Sequence, residues 1–170
     1  DTSTAFRTDP TWTYGFPELN ETQRELIAGS NRVAVPGCHA TGFISLVNPL
    51  VSRHIIDKEY PLVCHSLTGY SGGGKAMISQ YEEDTRQEGL DGPRQYSLDQ
   101  NHKHLAEMKA AAGISHPPAF HPIVADYYCG MLVTVTLHTR LLRKVLKPSE
   151  LRQVYEEYYR DQPVIKVRSE

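Results

Sequence analysis

The chain has 170 residues, of which 39% are hydrophobic and 22% are charged, and its formal net charge is −2. These values are typical of one folded domain, and they give no electrostatic reason to expect a nucleic acid or an anionic membrane as partner. No apolar run approaches the roughly 20 residues that a helix needs to cross a bilayer. The three cysteines are sparse and lack metal-site spacing. We therefore expect a reducing, cytoplasmic location and no bound metal.

The first predicted elements are a short helix, a short strand and a longer helix. Asn20 is a candidate N-cap for the short helix, which ends before Gly29. The apolar run at 31–35 is typical of a strand, and helical periodicity then extends over 40–54. A Pro-Gly pair separates this strand from the longer helix, so the chain turns sharply between them.

Cys38 follows that Pro-Gly pair directly and therefore stands at the predicted start of the longer helix. Unpaired backbone N–H groups and the positive end of the helix dipole favour an anion there. A thiolate is such an anion, and the thiolate is the form of cysteine that acts as a nucleophile. The alternative is a small buried thiol that merely closes the turn.

The remaining predicted elements mix helices and strands without strict alternation. In chain order they are a strand at 60–68, a loop at 69–74, a helix at 75–83, an exposed polar excursion at 84–100, a helix at 102–112, strands at 120–125 and 131–139, a helix at 149–159 and a last strand at 164–167. This order predicts an α+β fold, with a mixed, largely antiparallel sheet and helices on one face.

A glycine-rich motif follows the strand at 60–68. It reads Gly69-Tyr70-Ser71-Gly72-Gly73-Gly74-Lys75. The motif fits the first seven places of a P-loop, but Ala76 stands where a magnesium-binding Ser or Thr is needed, which argues against a nucleoside triphosphatase. Successive glycines can present backbone N–H groups to an anion, although a plain flexible turn is the alternative. No dinucleotide-binding glycine fingerprint is visible in the chain.

Two histidines open the predicted helix at 102–112, for which Asn101 is a candidate N-cap. His104 and Glu107 are three residues apart and share a helix face, where a carboxylate can orient an imidazole for acid–base work. The alternative is a solvated polar first turn. His102 points to a different side of the helix from His104, so a shared metal is not expected.

Five motifs in register are similar to one enzyme family. They are Asp1-Thr2-Ser3-Thr4-Ala5-Phe6-Arg7, Tyr14-Gly15-Phe16-Pro17-Glu18, Pro36-Gly37-Cys38, the glycine-rich motif and His102-Lys103-His104-Leu105-Ala106-Glu107. Together they resemble the short form of N-acetyl-gamma-glutamyl-phosphate reductase over roughly residues 1–165. The resemblance implies the catalytic domain of that family, related to aspartate-semialdehyde dehydrogenase. The NADP-binding Rossmann domain and the closing C-terminal segment would then lie outside residues 1–170.

The resemblance also implies roles for particular residues. The catalytic residues would be Cys38, His104 and His102, with His104 favoured as acid/base; Arg7 and Glu107 would bind substrate; and Ser71, Gly72 and Gly73 would lie near the nicotinamide end of NADP. The implied reaction is NADPH-dependent reduction of N-acetyl-glutamyl 5-phosphate to the semialdehyde through a cysteine thioester. The implied partners are this small-molecule substrate and a second copy of the chain, which would associate through this domain.

Two other functions use the same residues and stay open from the sequence. A cysteine-dependent amidase or hydrolase would use Cys38 and His104 without a nicotinamide and would work as this chain alone, which the reductase would not. A non-catalytic dimerisation module would need neither residue. Alkylation of Cys38 no faster than that of Cys64 and Cys129 would favour the module.

Overall fold

The computed structural model describes residues 9–169 of the chain. The strands are β1 Thr13–Tyr14, β2 Val33–Ala34, β3 Val63–Gly69, β4 Arg94–Gln95, β5 Ala119–Ala125 and β6 Met131–Thr136. The helices are α1 Glu21–Ala28, α2 Cys38–Ser52, α3 Gly74–Glu82, α4 His104–Ala112 and α5 Pro148–Tyr158. Within these residues, no helix combines the length and the apolar character needed to cross a bilayer.

The main sheet has the strand order β4-β5-β3-β6. β3 and β5 are parallel, with α3 and α4 in the connection between them, while β6 and β4 pair antiparallel with β3 and β5 respectively. β1 and β2 form a separate short parallel pair, in which Tyr14 lies beside Ala34. The α+β fold with a mixed, mostly antiparallel sheet is thus confirmed.

Helices α2 and α4 cover one face of the sheet. Alternate residues of β3 and β5 point towards these helices because successive strand side chains face opposite ways. The fully or almost fully buried side chains of this layer include Phe43, Ile44 and Val47 of α2, Met108 of α4, Cys64 and Ser66 of β3, and Phe120 of β5. The sheet face that carries Ser66 and Phe120 therefore lies directly under the two helices.

Tyrosine hydroxyls at the end of α5 form hydrogen bonds to α2 and to the segment before α1, where Tyr158 donates to the carbonyl oxygen of Leu19 at 2.6 Å. Tyr155 donates to the carbonyl oxygen of Leu46 at 2.6 Å, and Tyr159 donates to that of Ser45 at 2.8 Å. Each bond also satisfies a polar hydroxyl that burial would otherwise leave without a partner. Helix α5 thereby fixes the middle of α2, the helix that carries Cys38 at its first residue.

Some sequence predictions need correction. The excursion at 84–100 is mostly exposed as predicted, but Leu90 is buried and packs with Tyr81 and Val124. The excursion also contributes β4, which pairs with β5 at the sheet edge. The segment 164–167 forms no strand with any of the described residues, and Val164 stays 77% exposed. An apolar run is not a strand unless a neighbour supplies its hydrogen bonds. The glycine-rich motif is partly ordered, since Tyr70–Gly73 forms a 3₁₀ turn and α3 begins at Gly74.

Candidate active site

Cys38 is the first residue of α2, as the Pro-Gly break predicted. Gly37 is the N-cap, with φ −65° and ψ 142°, and its carbonyl oxygen accepts the Thr41 N–H at 2.8 Å. The thiol of Cys38 is free and exposed, whereas that of Cys64 is buried in the sheet. The alternative of a buried thiol that closes the turn is therefore wrong.

The His104 imidazole packs against Gly37, the residue before the thiol. A Cβ atom placed on Gly37 would lie 2.2 Å from Nε2 of His104, closer than any real contact of this kind. Only glycine therefore lets the ring approach the backbone so closely, although the φ of Gly37 is open to any residue. His104 is 7% exposed. It follows Gly37 by 67 positions in the sequence, and the packing of α4 against α2 brings the two residues together.

Glu107 connects α4 to the same turn. Its Oε1 accepts the backbone N–H of Gly37 and the hydroxyl of Tyr14, each at 2.8 Å. Burial, and then the hydrogen bond and charge of Glu107, raise the pKa of Tyr14, so the phenol keeps the proton that it donates. His104 and Glu107 share a helix face as predicted, and that face meets the Gly37 turn.

The N-cap of α4 is Lys103, and the side chain of the preceding His102 accepts the first backbone N–H of the helix. The predicted Asn101 cap is wrong: Nδ1 of His102 accepts the backbone N–H of His104 at 3.1 Å. Burial, and then the charge of Lys103, lower the pKa of His102. Because Nδ1 accepts the His104 N–H, it is unprotonated, and the ring is neutral with its proton on Nε2. The two imidazole centroids lie 4.7 Å apart.

A third histidine, His39, completes the cluster, and the sequence analysis missed it. Its Nδ1 lies 2.6 Å from the Ser66 hydroxyl and its Nε2 lies 2.8 Å from the Tyr96 hydroxyl. Burial, and then nearby positive charge, lower the pKa of His39 to about 4, so the ring is neutral. One signal was available: position 39 shares the buried face of α2 with Phe43, four residues on.

Tyr96 belongs to the same cluster, since its hydroxyl contacts His39 and its ring centroid lies 6.0 Å from that of His102. Burial, and then the charge of Cys38, raise the pKa of Tyr96 to about 12, so its hydroxyl is a neutral group at this cluster. The His39 centroid lies 5.5 Å from that of His104 and 5.6 Å from that of His102. An exposed thiol, three imidazoles and a phenol therefore meet at one end of α2, a set suited to a cysteine nucleophile with proton transfer.

The glycine-rich turn lies at the end of β3, a few residues after Ser66. Its backbone N–H groups at Gly69, Tyr70 and Ser71 donate to carbonyl oxygens of the segment 127–130 at 3.0–3.1 Å. The backbone at Gly72, Gly73 and Gly74 is exposed, and Gly74 has φ +76°, which favours glycine. Small residues there leave the backbone accessible to a ligand.

Two further sequence predictions concern residues and groups beyond this cluster. Arg7, which was expected to bind substrate, lies outside the described residues. Among residues 9–169, no group of three His, Cys, Asp or Glu side chains is arranged to hold a metal ion.

The fold and this cysteine–histidine site define a class of protein. Residues 38–170 match a family model described as the semialdehyde dehydrogenase dimerisation domain. The chain belongs to this semialdehyde dehydrogenase family. The predicted resemblance is also confirmed: N-acetyl-gamma-glutamyl-phosphate reductase of Trichormus variabilis is 39% identical over 99% of the chain and 54% of its own length. A second such reductase, from Pseudomonas putida, is 40% identical over 94% of the chain and 50% of its length.

Solved structures agree on the fold. The chain superposes on aspartate semialdehyde dehydrogenase II from Vibrio cholerae with a TM-score of 0.66, over 91% of this chain and 51% of that one. At 15% identity this likeness concerns the fold alone. The chain spans about half the length of the curated relatives it matches.

Proposed function

We propose that the chain is the catalytic part of a reductase in arginine biosynthesis. It would convert N-acetyl-glutamyl 5-phosphate and NADPH to N-acetyl-glutamate 5-semialdehyde, NADP and phosphate. The observation that carries the proposal is the exposed thiol of Cys38 at the first residue of α2, with the His104 ring packed on the preceding glycine. Relatives that match nearly the whole chain carry the name of this reductase.

The first step is acyl transfer to the protein. The Cys38 thiolate attacks the acyl carbon, a carbon–sulfur bond forms, and the bond from that carbon to the phosphate oxygen breaks. Phosphate leaves with the electron pair, and a thioester on Cys38 remains. Backbone N–H groups at the start of α2 are suited to stabilise the developing oxyanion, and one such donor is typically worth about 2.7–4 kcal/mol.

NADPH supplies the hydride that reduces the thioester. His104 is the acid–base residue: protonated, it donates to the oxygen of the resulting thiohemiacetal, and it takes the proton back as the carbon–sulfur bond breaks. The Cys38 sulfur leaves as a thiolate and is ready for another cycle. His102 is a neutral donor through Nε2, because its Nδ1 is held by the His104 backbone N–H.

The remaining assignments follow the resemblance. Ser71, Gly72 and Gly73 would hold the nicotinamide end of the cofactor, and their small, partly exposed turn fits that role. Arg7 would face the substrate phosphate. Most of the cofactor site would belong to an NADP-binding domain outside residues 1–170.

The same domain would also join two copies of the chain. The family model carries the description of a dimerisation domain. The sheet face that α2 and α4 leave uncovered, here called the open sheet face, supports this. Its residues are Val63, His65, Leu67, Ala119, His121, Ile123, Leu132, Thr134 and Thr136. Leu132 is 62% exposed there, and no charged side chain belongs to this set.

The decisive experiment looks for the thioester itself. The chain is mixed with acetyl phosphate, a simple acyl phosphate, and digested for mass spectrometry at low pH. We expect acetylation of Cys38, none in Cys38→Ala, and an unchanged result in Cys129→Ser, which removes the other exposed thiol. Acylation of Cys129 alone, or normal reductase turnover by Cys38→Ala in a longer protein that includes an NADP-binding domain, would contradict the proposal.

The same experiment distinguishes a cysteine hydrolase from the proposed reductase. A hydrolase would release the acyl group to water repeatedly, without a nicotinamide, from this chain alone. The reductase should instead hold the thioester until a hydride donor is supplied. Sustained turnover of acetyl phosphate, or of an amide, by the chain alone would therefore favour the hydrolase.

A further inference from the structure

We propose that Glu107 is a positioning residue that clamps the Gly37 turn, and with it the Cys38 nucleophile, by accepting hydrogen bonds from Tyr14 and Gly37. The sequence resemblance places Glu107 among substrate-binding residues, whereas its Oε1 is engaged by two protein donors at 2.8 Å each. In its consequence for the reaction, this inference rests on the function proposed above.

The clamp joins three separate parts of the chain. Glu107 belongs to α4, Tyr14 belongs to β1, and Gly37 is the N-cap of α2. β1 already holds the segment that leads to the turn, since the Gly15 N–H donates to the Ala34 carbonyl oxygen at 2.8 Å. The Tyr14 hydroxyl extends that pairing to α4. The strand before the turn and Gly37 itself are therefore both tied to the helix that carries His104.

The clamp also sets how His104 and Cys38 face each other. His104 and Glu107 lie three residues apart on one face of α4, and both contact Gly37. The carboxylate holds the N–H of Gly37 while the imidazole packs on its Cα side. Moving the turn away from Glu107 would change the position of the sulfur relative to the ring. A charge-assisted hydrogen bond of this kind is among the stronger ones in proteins.

Charge and hydrogen bonding make different predictions for Glu107. A clamp needs only an acceptor oxygen, which the side-chain carbonyl of Gln supplies with two lone pairs. Glu107→Gln should therefore keep both bonds, and Glu107→Ala should lose both. If Glu107 acted instead through its negative charge, the two variants would behave alike.

The test measures how fast iodoacetamide alkylates Cys38 relative to Cys129, the second exposed thiol, in the same 170-residue chain. The ratio corrects for reagent concentration, and all variants are measured at the same pH. We expect the ratio to fall about tenfold or more in Glu107→Ala, to stay at or above the original value in Glu107→Gln, and to stay unchanged in Lys109→Ala, an exposed position on the same helix. Hydrogen exchange of the Gly37 amide should accelerate only in Glu107→Ala.

Tyr14→Phe keeps the test decisive if Glu107→Ala does not fold. It removes one donor and leaves the Gly37 bond, so the alkylation ratio should fall by less than tenfold from that of the unsubstituted chain, and the Gly37 amide should stay protected. An unchanged ratio in Tyr14→Phe would also contradict the clamp. Equal ratios in all variants, or equal changes in Glu107→Ala and Glu107→Gln, would overturn the clamp. Acetylation by acetyl phosphate is scored separately, because its absence from the unsubstituted chain would end the proposed function and leave the clamp standing.

Discussion

Replacing Gly37 by alanine tests the contact on which the site depends. The added Cβ would lie 2.2 Å from Nε2 and 2.4 Å from Cδ2 of His104, whereas carbon–nitrogen and carbon–carbon contacts are comfortable at roughly 3.5–4.0 Å. The ring or the turn must therefore move by about 1 Å. The backbone itself accepts alanine, since Gly37 has φ −65°. The substitution therefore acts chiefly by filling the space that the imidazole occupies.

A displacement of about 1 Å at reacting groups can cost about 100-fold in rate. Overpacking of a filled site typically costs about 1–3 kcal/mol of stability. We therefore expect Gly37→Ala to fold, to lose about that much free energy of unfolding, and to acylate Cys38 about 100-fold more slowly with acetyl phosphate. Urea unfolding and quenched mass spectrometry measure the two effects. Gly89→Ala is the matched control, because a Cβ there would meet nothing within 4 Å.

A double variant identifies the cause. If the clash with the imidazole causes the loss of stability, Gly37→Ala should lower the free energy of unfolding by less than about 0.5 kcal/mol in a His104→Ala background, which lacks the ring. The reasoning is refuted if Gly37→Ala unfolds and acylates like the unsubstituted chain. It is also refuted if the stability loss persists in full without the His104 ring.

Three further predictions concern stability and assembly. The pKa of His39 is lowered to about 4 in the folded state, so as pH falls the imidazole is protonated in the unfolded chain before it is protonated in the folded one. The free energy of unfolding should therefore decrease by about 2 kcal/mol between pH 7.5 and 5, as measured by urea unfolding. His39→Gln should not show this decrease. Tyr155→Phe should cost about 1 kcal/mol by removing the bond to α2, whereas exposed Tyr128→Phe should cost little. Leu132→Glu, on the open sheet face, should shift sedimentation to the monomer while Val145→Glu does not.

Part of the fold was predictable because its signals are local. Asn20 caps α1 through a bond to the Gln23 N–H, and Gly29 ends the helix, as the residue types indicated. The Pro-Gly pair before Cys38 marked the start of α2 in the same way. β4 was missed because it is a strand of only two polar residues, Arg94–Gln95, whose existence depends on the exposed edge of β5.

The partners within the site were not predictable, because they meet only in three dimensions. Spacing showed that His104 and Glu107 share a face, but not that this face meets Gly37, 70 positions before Glu107. The bonds of His39 to Ser66 and Tyr96 likewise join separate elements of the fold. Helical periodicity predicts which residues share a face of a helix, but the residues that this face contacts are determined by how the helices and strands pack.

The packing that builds the core also sets the geometry of the site. Met108 follows His104 by one helical turn and is fully buried, so the side chain that anchors α4 in the core lies next to the imidazole on the same face. A one-residue change in the register of α4 would rotate its face by about 100° and carry His104 away from Gly37. The buried face of α2 similarly joins His39 to Phe43. Because catalytic and core positions share these faces, the distance between thiol and imidazole is held by the same contacts that stabilise the fold.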